Sequence, residues 1–256
     1  ITSIVMDLED LAGPSTSQSM EIIQAIERFS ASGKPIVAVG DYFSQSHYLL
    51  AAQADEIILH PEGGISLMGF GVYRTYLKQF LDNIRVKFHV FRAGENKSAV
   101  EPYLRDDMSP QERIVVARWL NSLWDDYTAQ VEKGRGKSEG DVTAFVNDFP
   151  ARLEANGGDL AQVFLQEGYV DALLSGDEVE ARVREIVDAV DDDGDVALVG
   201  LRRYLIDTRQ PRDETLATIA VVPVEGTLIP GENIQGSAGS ETIVNQLTNA
   251  MESDAA

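Results

Sequence analysis

Lys34-Pro35-Ile36-Val37-Ala38-Val39-Gly40-Asp41 begins a segment that continues through Tyr48-Leu49-Leu50-Ala51-Ala52 to Glu56-Ile57-Ile58-Leu59. The first and last runs are short, apolar and rich in β-branched residues, as strands buried on both faces are. Gly40-Asp41 closes the first run, and the middle run reads as a helix. Strand, crossover helix and strand in close succession make a right-handed βαβ unit, and such units build parallel sheets. Upstream, Ile1 to Leu8 reads as another buried strand. Ser15-Thr16-Ser17 caps a helix whose Met20, Ile23, Ile26 and Phe29 share one face before Ser32-Gly33 ends it. Downstream, a glycine-rich loop from Gly63-Gly64 to Gly69-Phe70-Gly71 leads to a helix over 72–81 and then a strand, Val86-Lys87-Phe88-His89-Val90-Phe91. The alternation predicts an α/β fold with a parallel sheet.

The character changes after Ser109-Pro110. Pro110 suits the first turn of a long helix carrying Ile114, Trp119, Leu123, Trp124 and Tyr127, and shorter helical pieces follow to about Val190. Asp191-Asp192-Asp193-Gly194-Asp195 begins like a calcium loop, but Arg202 stands where the twelfth-position glutamate belongs, so a solvated turn is expected. Thr218-Ile219-Ala220-Val221-Val222-Pro223-Val224 reads as a buried strand, Glu225 to Gly231 as a turn, and 240–251 as an amphipathic helix. Opening directly on a strand and ending on a helix with no closing strand, the 256 residues read as an excised piece of a longer protein.

Composition narrows the chemistry. A net charge of −21 leaves no basic stripe to displace phosphate counterions, which excludes nucleic acid as a partner and disfavours anionic lipid. With no cysteine there is no thiol nucleophile, disulfide or thiolate metal site. His47, His60 and His89 stand in unrelated segments without ligand spacing, so no metal is expected. No apolar run reaches the roughly 18 residues of a membrane span.

The richest segment is Phe91-Arg92-Ala93-Gly94-Glu95-Asn96-Lys97-Ser98-Ala99-Val100-Glu101-Pro102. A strand ends, a glycine turn follows, and Lys97 stands at the start of a short helix. The segment resembles the signal peptide peptidase A (protease IV) family of serine–lysine peptidases. In that family, Gly-x-x-Lys-Ser-Ala-x-Glu-Pro carries the general-base lysine. Gly94, Lys97, Ser98, Ala99, Glu101 and Pro102 match it position by position. The resemblance implies that Lys97 is the base. An amine can serve because burial and the positive end of a helix both disfavour its ammonium form, leaving a neutral nitrogen that accepts a serine proton.

The same resemblance extends to Clp protease and crotonase folds, in which a Lys-Pro strand leads to a Ser-Gly-Gly-Tyr turn. Aligning Gly40 and Tyr48 with that pattern puts Gln45 in the serine slot and Ser46-His47 in place of Gly-Gly. Glutamine is no nucleophile, and Ser44 and Ser46 flank the slot without filling it. The oxyanion turn is replaced as well. Met6-Asp7-Leu8-Glu9-Asp10-Leu11-Ala12-Gly13-Pro14 sets Asp7, Glu9 and Asp10 where negative charge would develop, and Pro14 has no N–H to donate. Val221 to Ile229 resembles the opening of the family's second repeat, and Gly168-Tyr169-Val170-Asp171 its Gly-Leu-Val-Asp packing turn.

The expected architecture is therefore α/β: a Clp protease/crotonase-like parallel-sheet repeat over 1–130 with the general-base lysine, helical additions over 131–212, and the start of a second, nucleophile-bearing repeat over 213–256. The resemblance implies a membrane-associated serine endopeptidase on the periplasmic side of the bacterial inner membrane. It would act as a homo-oligomer on apolar signal-peptide remnants, without cofactor, and be anchored only through a segment absent here. Two rival readings are a non-catalytic scaffold for assembly and an acyl-CoA-binding crotonase-like enzyme. The second lacks a glycine-rich oxyanion turn and a suitable catalytic glutamate.

Overall fold

A computed structural model describes residues 1–91, 97–187, 196–209 and 219–252. The chain divides into two units, Ile1–Ala197 and Leu198–Ala256. In the first, β1 (Ile4–Asp7), β2 (Ile36–Phe43), β3 (Glu56–Ile65) and β4 (Ala172–Leu173) lie side by side in that order, all parallel. Val37, Ala38, Ile57 and Ile58 are wholly buried, as the apolar runs require of strands covered on both faces.

Two glycines let β2 and β3 run on past their first pairing. The register shifts between Gly40 and Tyr42, after which Tyr42 and Phe43 pair with Gly64 and Ile65. A Cβ on Gly63 would stand 2.0 Å from the Asp41 carbonyl oxygen, so only glycine admits this approach. Gly63 and Gly64 thus end a long strand, where the sequence suggests the start of a loop.

The helices cover the sheet. α1 (Thr16–Ser30) begins at Ser15 with a reciprocal capping box to Gln18, buries Ile23 and Ile26, and is followed by Gly33 at φ +71. α2 (Gln45–Ala51) is the crossover between β2 and β3, with Tyr48, Leu49, Leu50 and Ala51 buried. Next come α3 (Lys78–Asn83) and α4 (Glu101–Leu104). α5 (Pro110–Gly134) starts from the Ser109 cap with Pro110 in its first turn. Of its expected apolar face, Tyr127 is buried and Leu123 and Trp124 half-buried, but Ile114 and Trp119 are exposed. α6 (Asp141–Ala155) and α7 (Leu160–Gln166) contribute Val142, Phe145, Val163 and Phe164 to the same core. On the other face, Val183 and Val187 of α8 (Asp177–Val187) pack against Val37 and Ile58.

The expected strand at 86–91 is irregular chain, and most of its side chains are exposed. The fourth strand is instead Ala172–Leu173, delivered by the Gly168-Tyr169-Val170-Asp171 turn. Gly168 has φ +68, Tyr169 and Val170 are buried, and the Asp171 carboxylate accepts the Ile57 N–H at 2.8 Å. The expected helix over 72–81 is likewise shorter and later, as α3. Asp191–Asp195 lie outside the described residues.

In the second unit, α9 (Leu201–Thr208) precedes a parallel pair, β5 (Thr227–Ile229) and β6 (Ser237–Gly239), and then α10 (Ser240–Glu252). The strand expected over 218–224 is not found. Thr218 lies outside the described residues, and Ile219 to Val224 are irregular, with Ile219, Val221 and Val224 exposed. The strand forms instead in the segment expected to turn. Gly226 at φ +96 precedes it, and a Cβ there would stand 2.4 Å from the Gly236 carbonyl oxygen.

One buried polar contact ties the crossover helix to the fourth strand. The Tyr48 hydroxyl donates to the Tyr169 carbonyl at 2.7 Å. Burial pushes the Tyr48 pKa well up, so the phenol remains a donor at any working pH. Tyr48→Phe strands that carbonyl in a dry site. Urea unfolding of the first unit should give a midpoint lowered by about 1–3 kcal/mol of stability, with an unchanged slope.

Candidate active site

The site residues lie beyond the carboxyl ends of β2 and β3, the edge where open α/β sheets bind ligands. Gln45 is the first residue of α2. Its side-chain oxygen accepts the N–H groups of Met68, at 3.1 Å, and Gly69, at 2.9 Å, and its amide nitrogen donates back to the Gly69 carbonyl at 3.3 Å. The residue in the serine slot is thus a three-bond strap across the loop after β3. Ser44 caps α2 by accepting the His47 N–H at 3.2 Å, and its hydroxyl lies 3.2 Å from that of Ser46. The His47 ring Nε2 donates to the Leu11 carbonyl at 2.9 Å, holding the turn after β1.

Two amides of that turn are already used. Glu9 N–H donates to the Asp7 carboxylate at 3.1 Å, and Leu11 N–H to the Leu8 carbonyl at 3.1 Å. Neither is available to a developing oxyanion, which agrees with the acidic character of the segment. His60 accepts the Glu62 N–H through Nδ1, and His89 is exposed. Among the described residues no group of three or more His, Asp or Glu side chains could hold a metal, and no helix is long and apolar enough to cross a membrane.

Lys97 belongs to a separate segment. It is exposed and begins the 3-10 turn Ser98–Val100, which runs directly into α4 with Pro102 in its first turn. Gly94, with 92–96 as a whole, lies outside the described residues. The structure ties Gln45, flanked by Ser44 and Ser46, to Met68 and Gly69 and puts Lys97 on a separate leg, 97–108. That leg is fastened to the preceding leg, residues 72–91. Leu77 N–H donates to the Pro102 carbonyl at 2.7 Å, Gln79 N–H to the Asp106 carboxylate at 3.1 Å, and Phe88 stacks on Tyr103 with ring centroids 4.8 Å apart.

Glu101 is the residue whose task the motif did not disclose. It is only 7% exposed, and its carboxylate accepts the Ser109 N–H at 3.1 Å. Burial opposes its ionisation, but the hydrogen bonds from Ser109 and the nearby Arg105 and Arg74 outweigh it and hold the carboxyl below its ordinary value. The signal was present in the sequence as the Ser109-Pro110 helix start eight residues on. Nothing local says that a glutamate would reach it.

A model of peptidase family S49 matches residues 28–189. The chain belongs to peptidase family S49. It is 36% identical over 250 residues to Protease 4 of Salmonella typhi and 33% identical over 252 residues to Protease 4 of Haemophilus influenzae, each alignment covering 98% of this chain. The chloroplastic serine protease SPPA of Arabidopsis thaliana is 23% identical over 239 residues, 91% of the chain. The chain spans about two fifths of the two Protease 4 relatives, 40% and 41% of their lengths, and 33% of the Arabidopsis protein. The match places this S49 chain with the protease IV/SPPA peptidases, as the Lys97 motif indicates.

The strap at Gln45 makes a direct expectation. Gln45→Ala releases the Met68 and Gly69 amides at once. It should cost about 1–3 kcal/mol and raise hydrogen exchange at those two amides while α1 and β2 keep their protection. Unchanged exchange at Met68 and Gly69 would mean that the strap does not hold the loop.

Proposed function

We propose that this S49 chain is the Clp protease/crotonase-like repeat that supplies the general base of a serine endopeptidase, with the serine contributed by residues outside it. The observation that carries the reading is Lys97-Ser98-Ala99-Val100-Glu101-Pro102 in a chain of this family. In the reaction, the Lys97 amine, exposed in this chain and desolvated into its neutral form by the part that carries the serine, takes the proton of a serine hydroxyl as the oxygen attacks a peptide carbonyl. It then returns that proton to the departing amine. Gln45 in the serine slot and the spent amides of the turn after β1 support assigning the nucleophile and oxyanion site to another part of the protein. Because the proposed substrates are apolar signal-peptide remnants, they would bind extended in a groove lined by strand edges. The complete enzyme would be a homo-oligomer facing the periplasm, held at the inner membrane by a segment outside this chain.

The test uses the full-length protein and a fluorogenic apolar peptide. Lys97→Ala should abolish turnover, by about 10⁴-fold or more. Lys97 is exposed here, so its loss deletes no core volume, and the melting temperature should be unchanged. The 256-residue chain alone should not cleave the peptide. Full turnover in Lys97→Ala, with a lowered melting temperature, would make the repeat a scaffold for assembly instead.

A further inference from the structure

Lys97 sits on a short piece of helix. The 3-10 turn 98–100 and α4 together span 98–104, too few residues to be stable or to hold an orientation by themselves. Whatever fixes Lys97 in space must therefore come from tethers to larger elements. The contacts to Leu77 and Phe88 run to the neighbouring leg, much of whose apolar surface is itself exposed. Glu101 alone of these tethers reaches the longest helix, α5. That helix is anchored at its far end by Tyr127 and Val131 in the main core.

Among the described residues, three glutamates are buried, and two have evident tasks. Glu132 accepts the N–H groups of Gly140 and Val142 at 3.0 Å each, starting α6. Glu112 pairs with Arg74 at 3.0 Å. Glu101 is the third, on a four-residue helix at the surface. Burying a carboxylate there is costly unless it is fully engaged. It lies four residues after Lys97, at the point where the 3-10 turn that Lys97 begins runs directly into α4. We propose that Glu101 is a positioning residue that sets Lys97 for proton transfer, referencing the lysine to the core through Ser109 and α5. This inference rests on Lys97 being the general base.

The experiment compares three substitutions in the full-length enzyme with Lys97→Ala as control, reading kcat, KM and melting temperature. Glu101→Ala should lower kcat by about 10- to 100-fold with KM within about twofold, because a misplaced base loses transition-state geometry more than substrate binding. Glu101→Asp keeps the charge but falls short of Ser109, and it should lose as much. Glu101→Gln still offers a carbonyl oxygen to the Ser109 N–H, and it should keep kcat within about threefold of the parent. Parental kcat in Glu101→Ala or Glu101→Asp overturns the inference, as does a Glu101→Gln variant as impaired as Glu101→Ala. If Glu101→Ala does not fold, the Asp and Gln pair decides by the same criteria. Retained turnover in Lys97→Ala, by contrast, brings down the general-base reading and this inference with it.

Discussion

Parallel strands buried on both faces have no solvent to complete their hydrogen bonds, and this constraint organises the first unit. β2 and β3 can exist only if α1, α2 and the α5–α7 group cover one face while α8 covers the other. The edges must be satisfied as well. β3 borrows two residues, Ala172 and Leu173, from a segment more than a hundred positions away, and the Asp171 carboxylate supplies an acceptor for the Ile57 N–H. Tyr48, wholly buried on the crossover helix, then locks that distant segment in place. The Arg135 guanidinium closes the same corner from α5's end, bonding to the Gly168 carbonyl and the Asp171 carboxylate.

Past the carboxyl ends of β2 and β3 the demands on the chain change. Ser44, Gln45 and His47 each spend their polar atoms on holding a turn or loop: the α2 cap, the 66–70 loop and the turn after β1. Side chains occupied in this way are poor candidates for chemistry, because nucleophiles and oxyanion donors must be unspent when substrate arrives. The geometry that a catalytic repeat would keep open is here closed by its own residues. What remains is a rigid base for the two legs 72–91 and 97–108, and the second of these carries Lys97.

The central strands, α1, α2, the start of α5 and α10 were legible because each rests on local signals: a continuous apolar run, a serine cap or a proline in the first turn. Residues 86–91 and 219–224 misled for the same reason. Val86, Phe88, Val90, Val221 and Val222 favour extended chain, but a strand also needs a neighbour to pair with, and that is decided by distant residues. Ala172–Leu173 carried no signal at all, since two residues make no pattern. The site divides similarly. Lys97 was singled out by its motif and Gln45 by its misfit in the serine slot. The strap to Met68 and Gly69 and the reach of Glu101 to Ser109 are contacts between segments, and no spacing rule encodes them.

The aromatic cluster at the root of the legs has a practical consequence. Trp124 stacks on Tyr127 with centroids 5.5 Å apart, receives the edge of Phe70 at 6.3 Å, and donates its indole N–H to Thr143 at 2.9 Å. Phe70 immediately follows the Gly69 that Gln45 grips. The only other tryptophan, Trp119, is nearly half exposed, so the two indoles occupy optically distinct surroundings. The protein therefore carries an intrinsic fluorophore at the joint between its sheet and the leg 72–91, to which the lysine-bearing leg is fastened. With Trp119 replaced by phenylalanine, emission from Trp124 reports on that joint alone, without a dye or label.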